Sequence, residues 1–240
     1  MKQNNELPKS ISYLRWMGIL YLLVIILAGF SQGYVRGSII IPGDASATAD
    51  NIMNQIDLFR LGLSTDLTAF IIDAVISVML YQVFKTYNKN LAMIMASLRL
   101  LAHPAIASIN LINHYFAYKV LEGDRYLTAF TAEQLDAFSL FFADGHRYGY
   151  LIAGAFFGIH LLLLAILIYK TPVFPSWLGG LILGSSAGYI IESYGNFSFP
   201  GNEAWMALLV GVTAAIGELA LTLYLLIKGG STTYFKQLNT

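Results

Sequence analysis

The chain has 240 residues, of which 57% are hydrophobic and only 12% carry a charge. Soluble domains average about 45–50% apolar and about 25% charged residues, so a fully water-soluble protein is excluded. The formal net charge is +0, which leaves no basic excess for binding nucleic acid. The chain contains no cysteine, which removes disulfides, thiolate nucleophiles and cysteine-ligated metal centres. This composition predicts a lipid bilayer as the surroundings, and no nucleic-acid partner is expected.

Six apolar segments are long enough to cross a bilayer, which takes about 20 consecutive apolar residues in a helix. The segments cover about 14–35, 66–86, 91–118, 147–170, 174–196 and 204–228. The first segment lacks the small-residue cleavage site and polar continuation of a signal peptide. The sequence therefore predicts an all-α polytopic membrane protein, with six transmembrane helices in a single helical-bundle domain over residues 1–240.

Charged residues divide unequally between the two sides of such a bundle. With the amino terminus inside, the termini and short connections carry eight cations against one acid, Glu6. The eight cations are Lys2, Lys9, Arg15, Lys85, Lys89, Lys170, Lys228 and Lys236. The long segments 36–66 and 119–147, on the opposite side, carry five cations and nine acids. Because cytoplasmic loops are enriched in Lys and Arg, this bias predicts that both termini are cytoplasmic.

Each of the two long outer segments contains a predicted short helix. Residues 48–62 repeat apolar side chains at the spacing of an amphipathic helix. In residues 131–142, Thr131 is followed three residues later by Gln134, which is the pattern of a capping box at the start of a helix. We expect two short extracytoplasmic helices, which either cover the outer mouth of the bundle as a lid or act as interfacial anchors.

Glycines recur at four-residue spacing in two of the predicted spans. Gly154 and Gly158 lie in the fourth span, and Gly180, Gly184 and Gly188 lie in the fifth. Small residues at this spacing let membrane helices approach closely, so we expect helix-packing surfaces here. The letters from Gly184 to Gly188 also match the Gly-x-Ser-x-Gly pattern of hydrolases, but their position inside a span favours packing.

Ionisable side chains occur inside the predicted spans, where a charge costs about 2.5–3.5 kcal/mol on insertion scales. They are Asp73, Arg99, His103, His160, Glu192 and Glu218. With a rise of about 1.5 Å per residue, all except Glu192 fall at a similar depth near the midplane. We expect these five to surround one polar cavity; in the alternative, Asp73 and Arg99 form a buried ion pair that neutralises itself. An outer layer is expected to contain Arg60, Asp66, His114, His146 and Glu192.

The third span carries a polar stripe along an otherwise apolar helix. The stripe consists of Arg99, His103, Asn110, Asn113 and His114, which fall within an arc of about 100°. Pro104 cannot bond to the carbonyl of Leu100, so we expect a kink and a free acceptor beside the stripe.

Short motifs follow one another in a recognisable order over about residues 12–230. They include Pro42-Gly43-Asp44, Phe59-Arg60-Leu61-Gly62, Phe157-Gly158-Ile159-His160, Phe174-Pro175 and Gly217-Glu218. In order and spacing they resemble a bacterial membrane-protein family catalogued as domain of unknown function 4386. The resemblance implies a multi-span protein of the bacterial inner (plasma) membrane whose activity is unassigned. Its pattern includes Asn51, Arg60, Asp66, Arg99, His160 and Glu218, but not His103, His114 or His146.

Three functions are consistent with these residues, and whether the protein is an enzyme stays open. We expect first a site that binds or translocates a small polar or amphipathic ligand, a lipid among them, or a proton. The candidate ligand-binding residues are Asp73, Arg99, His103, His160, Glu218, Arg60, Asn51 and Asp66.

One alternative is an intramembrane metal-dependent hydrolase, although a compact His-Glu-x-x-His motif is absent. The other is electron transfer by bis-histidine haem, which would pair His103 with His160 and His114 with His146. No cofactor and no metal ligand is assigned from the sequence.

Overall fold

The computed structural model describes residues 11–124 and 127–229, which form helices and connecting turns and contain no β-strand. The prediction of an all-α fold is confirmed. We number the continuous helices in chain order. α1 joins Ile11–Ala28, the π-helical Gly29–Arg36 and Gly37–Ile39, and it is followed by α2 (Ala45–Asn54) and α3 (Ile56–Phe84). α4 joins Lys89–Leu100, the π-helical Leu101–Ala107, Ser108–Lys119 and the 3-10 turn Val120–Glu122. The last three helices are α5 (Ala132–Lys170), α6 (Ser176–Ser198) and α7 (Glu203–Ile227).

Six of these helices form a closed ring. α1 packs against α3 and α7, α4 lies between α3 and α5, and α6 lies between α5 and α7. We call the end at which α3 turns into α4 the inner end, and the opposite end the outer end. The largest apolar cluster contains side chains from all six helices, among them Leu14, Ile76, Met95, Leu161, Ile182 and Leu221. A smaller cluster toward the outer end joins α2 to α1, α3, α4 and α5.

Five helices are long and apolar enough to cross a membrane, namely α1, α3, α4, α5 and α7. They are compatible with a multi-pass membrane protein. α6 corresponds to the predicted fifth span, but its five glycines and five serines lower its hydropathy. It is nevertheless a 23-residue helix within the ring. Both chain termini lie outside the described residues, as do the predicted loop charges Lys2, Glu6, Lys9, Arg125 and Lys236.

The first predicted outer helix, residues 48–62, is divided in two. Gln55, with φ −127° and ψ 35°, interrupts the helical path. α2 therefore ends one residue before it and α3 begins one residue after it. The N-terminus of α2 is capped by Asp44, whose carboxylate accepts a hydrogen bond from the N–H of Ala47 at 2.9 Å. The break lets α2 pack against α5 while α3 turns into the ring.

The second predicted outer helix, residues 131–142, is not a separate helix. It forms the first turns of α5, which has 39 residues and is therefore about 58 Å long. That length exceeds the hydrocarbon core of a bilayer, about 30 Å, so one rigid helix supplies both the span and its extension. The predicted capping box of Thr131 and Gln134 is present. The prediction of two short outer helices is thus wrong for this segment and correct only in part for the first.

Two π-helical segments carry polar side chains into the ring. The first, Gly29–Arg36, ends on Arg36 itself, and the second, Leu101–Ala107, contains His103 and surrounds Pro104. Proline has no N–H to donate to the preceding turn, and the wider π turn accommodates this. π-helical turns are rare and occur frequently at functional sites.

Close contacts at glycines bring α6 against both of its neighbours. A Cβ atom at Gly158 would lie 2.8 Å from Cγ1 of Ile190, and one at Gly217 would lie 2.7 Å from the carbonyl oxygen of Leu181. Glycine is required at these two positions because the helices leave no room for a side chain. Gly184 differs from the prediction, since a Cβ there would meet nothing within 4 Å.

Candidate functional site

The innermost polar cluster centres on the guanidinium group of Arg99. Arg99 from α4 is 1% exposed, and Asp73 faces it from α3. Nε and Nη2 of Arg99 both donate to Oδ1 of Asp73, with 3.0 Å between Nε and Oδ1. Oδ2 of Asp73 lies 3.1 Å from Nδ1 of His103, one turn farther along α4. The carboxylate is thus held by two side chains of the predicted polar stripe.

The remaining guanidinium nitrogen of Arg99 is bonded by α1 and α5. Nη1 donates to the hydroxyl of Tyr21 at 3.1 Å and lies 3.1 Å from Nε2 of His160. Nδ1 of His160 lies 2.9 Å from the carbonyl oxygen of Met95. These partners place the proton of His160 on Nδ1 and leave Nε2 as the acceptor. The guanidinium carbon also lies 5.1 Å from the ring centroid of Phe157, so every nitrogen and one face of Arg99 are engaged.

Glu218 does not contact Arg99 through a hydrogen bond but is connected to this cluster by the aromatic rings of Tyr189 and Phe157. Its Oε1 accepts a hydrogen bond from the hydroxyl of Tyr189 at 3.1 Å. The ring of Tyr189 meets that of Phe157 edge-on, with 5.0 Å between centroids, and Phe157 in turn covers Arg99. Each helix of the ring therefore contributes a polar side chain to this layer: Tyr21, Asp73, Arg99, His160, Tyr189 and Glu218.

A second polar cluster, nearer the outer end, surrounds the ion pair of Arg36 and Asp66. Their side chains are 8% and 0% exposed. Nη1 of Arg36 donates to Oδ2 of Asp66 at 2.7 Å and lies 3.2 Å from Nδ1 of His114. Nε of Arg36 donates to Gln32 at 3.1 Å. Nε2 of His114 lies 2.9 Å from the carbonyl oxygen of Phe59, so both of its ring nitrogens are engaged.

His146 extends this outer cluster from α5. Its ring centroid is 5.6 Å from that of His114, and its Nδ1 is 3.3 Å from the carbonyl oxygen of Asn110. Among the described residues, Nε2 of His146, Nη2 of Arg36 and Oδ1 of Asp66 are buried without a hydrogen-bond partner. Buried polar groups in proteins are nearly always hydrogen-bonded. The hydrogen bonding of the outer cluster is therefore incomplete, whereas no buried side-chain atom of the inner cluster lacks a partner.

A cavity of about 1030 Å³ adjoins the outer cluster, with Arg36 and His146 in its lining and walls from α1, α5, α6 and α7. The α7 wall is built from small residues, including Ala207, Gly211 and Ala214. Ala207 and Gly211 are exposed, so the cavity opens at the surface beside α7. Toward the inner end, α1 and α7 are in contact, because a Cβ at Gly18 would lie within 3.0 Å of the α7 backbone. The cavity is therefore open beside α7 in the outer half of the ring, whereas α1 and α7 are in contact in the inner half.

Charged side chains line the cavity, with more acids than bases. They are Asp144, Glu192, Glu203, Arg36 and Arg147. Arg147 donates to Asn196 at 3.5 Å and lies 3.9 Å from Asp144, and Glu203 accepts from the N–H of Gly201 at 2.8 Å. The half-buried carboxylate of Glu192 has no hydrogen bond and no ion pair within 4 Å in residues 11–124 and 127–229.

Two predicted site residues lie away from both clusters. Nδ2 of Asn51 donates to the carbonyl oxygen of Ile39 at 3.1 Å and ties α2 to the end of α1. Arg60 donates to the carboxylate of Glu122 and ties α3 to the end of α4, with 45% of its side chain exposed. Asn51 and Arg60 thus stabilise connections at the outer end, and neither belongs to the cavity lining.

The other six predicted residues divide between the clusters. The inner cluster contains Asp73, Arg99, His103 and His160, with Glu218 beside it, and the outer cluster contains Asp66.

Sequence analysis missed Arg36, Tyr21 and Tyr189. Arg36 was assigned to an outer loop, whereas α1 continues past the apolar run through its π-helical segment. The four-residue spacing of Gln32 and Arg36 was the one indication that the helix continues.

The histidines and serines singled out in the sequence are engaged in hydrogen bonds. His160 and His114, one from each proposed haem pair, use both ring nitrogens, which leaves neither free to ligate iron. Ser185 donates to a carbonyl of α7 at 2.8 Å and Ser186 to a carbonyl of α5 at 2.7 Å. In the described part of the chain, no three His, Asp or Glu side chains are grouped as a metal site. This geometry favours neither the hydrolase nor the haem alternative.

Sequence comparison agrees with the resemblance found from the motifs. The profile of a family described as "Domain of unknown function (DUF4386)" matches residues 16–229. The chain belongs to the DUF4386 family. It is also similar to an "Uncharacterized protein" of Archaeoglobus fulgidus, with 35% identity over 159 residues, 66% of this chain and 78% of the relative. No solved structure gives a significant match. An archaeal relative extends the similarity beyond the bacterial proteins that the resemblance implied.

Proposed function

We propose that this DUF4386 protein binds a small amphipathic ligand in the cavity beside its outer cluster. The observation that carries the proposal is that one cavity combines a wall of small apolar residues with the side chains of Arg36 and His146, whose Nη2 and Nε2 are buried behind the lining without a hydrogen-bond partner among the described residues. Leaving a buried polar atom unbonded costs about 1–3 kcal/mol. A ligand in the cavity removes that cost when a rotation of either side chain brings its unpartnered nitrogen to the cavity surface. Sites of this composition, mostly apolar with a few polar groups, are typical of small-molecule pockets.

The proposed setting is the plasma membrane, the inner membrane in a bacterium, crossed six times with both termini cytoplasmic. α6 lies between two long apolar helices of the ring, so it has to traverse the same depth as they do. Arg15 donates to the carbonyl oxygen of Ile227 at 3.0 Å, which brings the start of α1 and the end of α7 together at the inner end. Lys85, Lys89 and Lys170 end or begin helices at that same end, as the positive-inside bias requires.

In this proposal the inner cluster is a structural floor and the ligand occupies the space above it. A ligand at Arg99 would have to displace the bonds to Asp73, Tyr21 and His160. Truncating such a buried charge network is costly, because each remaining charge loses its partner. The geometry therefore favours ligand binding at the outer cavity over passage of a ligand through the whole ring.

A cavity-filling substitution tests the proposal. Gly211 lines the cavity and a Cβ there meets nothing within 4 Å, so Gly211→Trp introduces a large side chain at the lining without a clash at its Cβ. Gly184 of α6 has equally open surroundings but is not in the lining, which makes Gly184→Trp the matched control. The protein and both variants are purified in a mild detergent from their own membrane and analysed by native mass spectrometry.

The wild-type protein and Gly184→Trp are expected to carry one bound amphiphile, which Gly211→Trp has lost. The proposal is wrong if the wild type carries no adduct, or if Gly211→Trp retains it to the same extent as the control.

A further inference from the structure

One side of the cavity presents a carboxylate that lacks a counterion. Glu192 projects from the outer half of α6, is half-buried and lines the cavity. Arg147 lines the same cavity, but it donates to Asn196 and lies beside Asp144 and forms no ion pair with Glu192. A carboxylate inside a largely apolar wall is stabilised by a cation at close range. Glu192 therefore marks a position suited to the cationic group of a ligand.

Two side chains in other walls of the same cavity each have an unused hydrogen-bonding nitrogen just behind the lining. Nη2 of Arg36 on α1 carries two N–H bonds, has no partner among the described residues and belongs to a side chain that is 8% exposed. His146 on α5 is 2% exposed, and its Nε2 also lacks a partner there. The charge of Arg36 is already balanced by Asp66 at 2.7 Å. The position beside Arg36 therefore suits an anionic group of a ligand that also carries a positive charge and is neutral as a whole.

We propose that the ligand is a zwitterionic amphiphile, with an ammonium group against Glu192 and a phosphate or carboxylate against Arg36. This inference rests on the proposed function and names its ligand class. The apolar part of the ligand lies along the small-residue wall of Ala207, Gly211 and Ala214, which leaves room for a chain. The open side of the cavity beside α7 gives such a chain access from the surrounding lipid.

The balance of charge in the cavity favours a zwitterion over an anion. Three acids and two arginines line it, and Asp66 already neutralises Arg36. An anionic ligand would enter a region with a surplus of carboxylates and would leave Glu192 without a partner, at a cost in a medium of low dielectric constant. A cation alone would satisfy Glu192 but would leave the donors of Arg36 unbonded.

The test titrates the detergent-solubilised protein with three probes and measures binding by native mass spectrometry. The probes are lysophosphatidylethanolamine (zwitterionic, with a chain), lysophosphatidylglycerol (anionic, with a chain) and phosphoethanolamine (zwitterionic, without a chain). Glu192→Gln removes the carboxylate charge while keeping the side-chain shape. Asp57→Asn is the control, because Asp57 is a 99% exposed acid at the outer end and is not in the cavity lining.

We expect lysophosphatidylethanolamine to bind about tenfold or more tightly than lysophosphatidylglycerol, and Glu192→Gln to remove most of that preference, while Asp57→Asn preserves it. Phosphoethanolamine, which has no chain, is expected to bind far more weakly than its lysolipid. If it binds as tightly, the chain contributes nothing and the proposal of an amphiphile is overturned. If both lysolipids bind equally and Gly211→Trp weakens the binding of both, the preference for a zwitterion is overturned, whereas the proposed function is kept. A preference that persists in Glu192→Gln would also overturn the proposed zwitterion. Binding of no amphiphile would instead overturn the proposed function itself.

Discussion

Arg99 places two of its guanidinium nitrogens on a single carboxylate oxygen of Asp73, across the interface between α4 and α3. Neither side chain is more than 2% exposed. A charge at this depth is tolerated because its partner and its remaining hydrogen bonds come from the surrounding helices. The pair therefore joins neighbouring helices of the ring at the layer where every helix contributes a polar group.

Removing the cation of this pair is expected to destabilise the protein strongly. Arg99→Leu leaves the carboxylate of Asp73 buried without its counterion, which costs about 3–5 kcal/mol in comparable pairs. Arg99→Leu combined with Asp73→Asn removes both charges and should restore much of the loss. Unfolding midpoints in detergent measure both effects.

Arg60→Leu serves as the control for that experiment, because Arg60 pairs with Glu122 at the surface and 45% of its side chain is exposed. Its unfolding midpoint is expected to change little, since exposed ion pairs contribute weakly. A double variant of Arg99 and Asp73 that is no more stable than Arg99→Leu alone would contradict the pairing as the source of the stability.

A pair of glycine substitutions tests how α5 and α6 pack. Gly158→Ala places a Cβ 2.8 Å from Ile190 and is expected to destabilise by about 1–3 kcal/mol, the usual cost of overpacking. Gly184→Ala meets nothing within 4 Å and should be neutral or slightly stabilising, because alanine favours the helix. Thermal unfolding of the two variants should therefore shift in different directions, and equal destabilisation of both would refute the close contact at Gly158.

Whether α6 crosses the membrane can be measured directly, since the chain has no cysteine of its own. Single cysteines replace Thr86, Pro172 and Pro200, which are exposed residues in connections at the two ends of the ring. A membrane-impermeant maleimide added to intact cells should label the cysteine at 200 and should label those at 86 and 172 only after the membrane is opened. Labelling of positions 172 and 200 from the same side would remove α6 from the spans.

The helices and the inner cluster were predictable because hydrophobicity and depth are local properties of the sequence. The polar stripe of α4 placed Arg99 and His103 on one face, and the rise per residue placed Asp73 and His160 at their level. Depth does not give the direction of a side chain around its helix, so it placed Asp73 and Glu218 equally within reach of Arg99, whereas Asp73 bonds Arg99 and Glu218 bonds Tyr189.

The cavity and its outer cluster were only partly predictable, because they depend on where helices continue or break. The π-helical segment extends α1 to Arg36, and Gln55 divides what the amphipathic pattern indicated as one helix. Asp66, His146 and Glu192 were expected near the outer side, but the space between them depends on small residues of α7 and on the separation of α1 from α7. Tertiary packing of this kind leaves no periodic pattern in the sequence.

The central claim, that the outer cavity holds an amphipathic ligand, is tested most directly by an experimental structure of the protein in a nanodisc made from its own membrane lipids. We expect an elongated non-protein density in the cavity, with its polar end within hydrogen-bond distance of the Arg36 side chain and its chain along Gly211 and Ala214. A cavity that is closed by contact between the outer halves of α1 and α7, or that contains only separate water molecules around Arg36 and His146, would contradict the central claim.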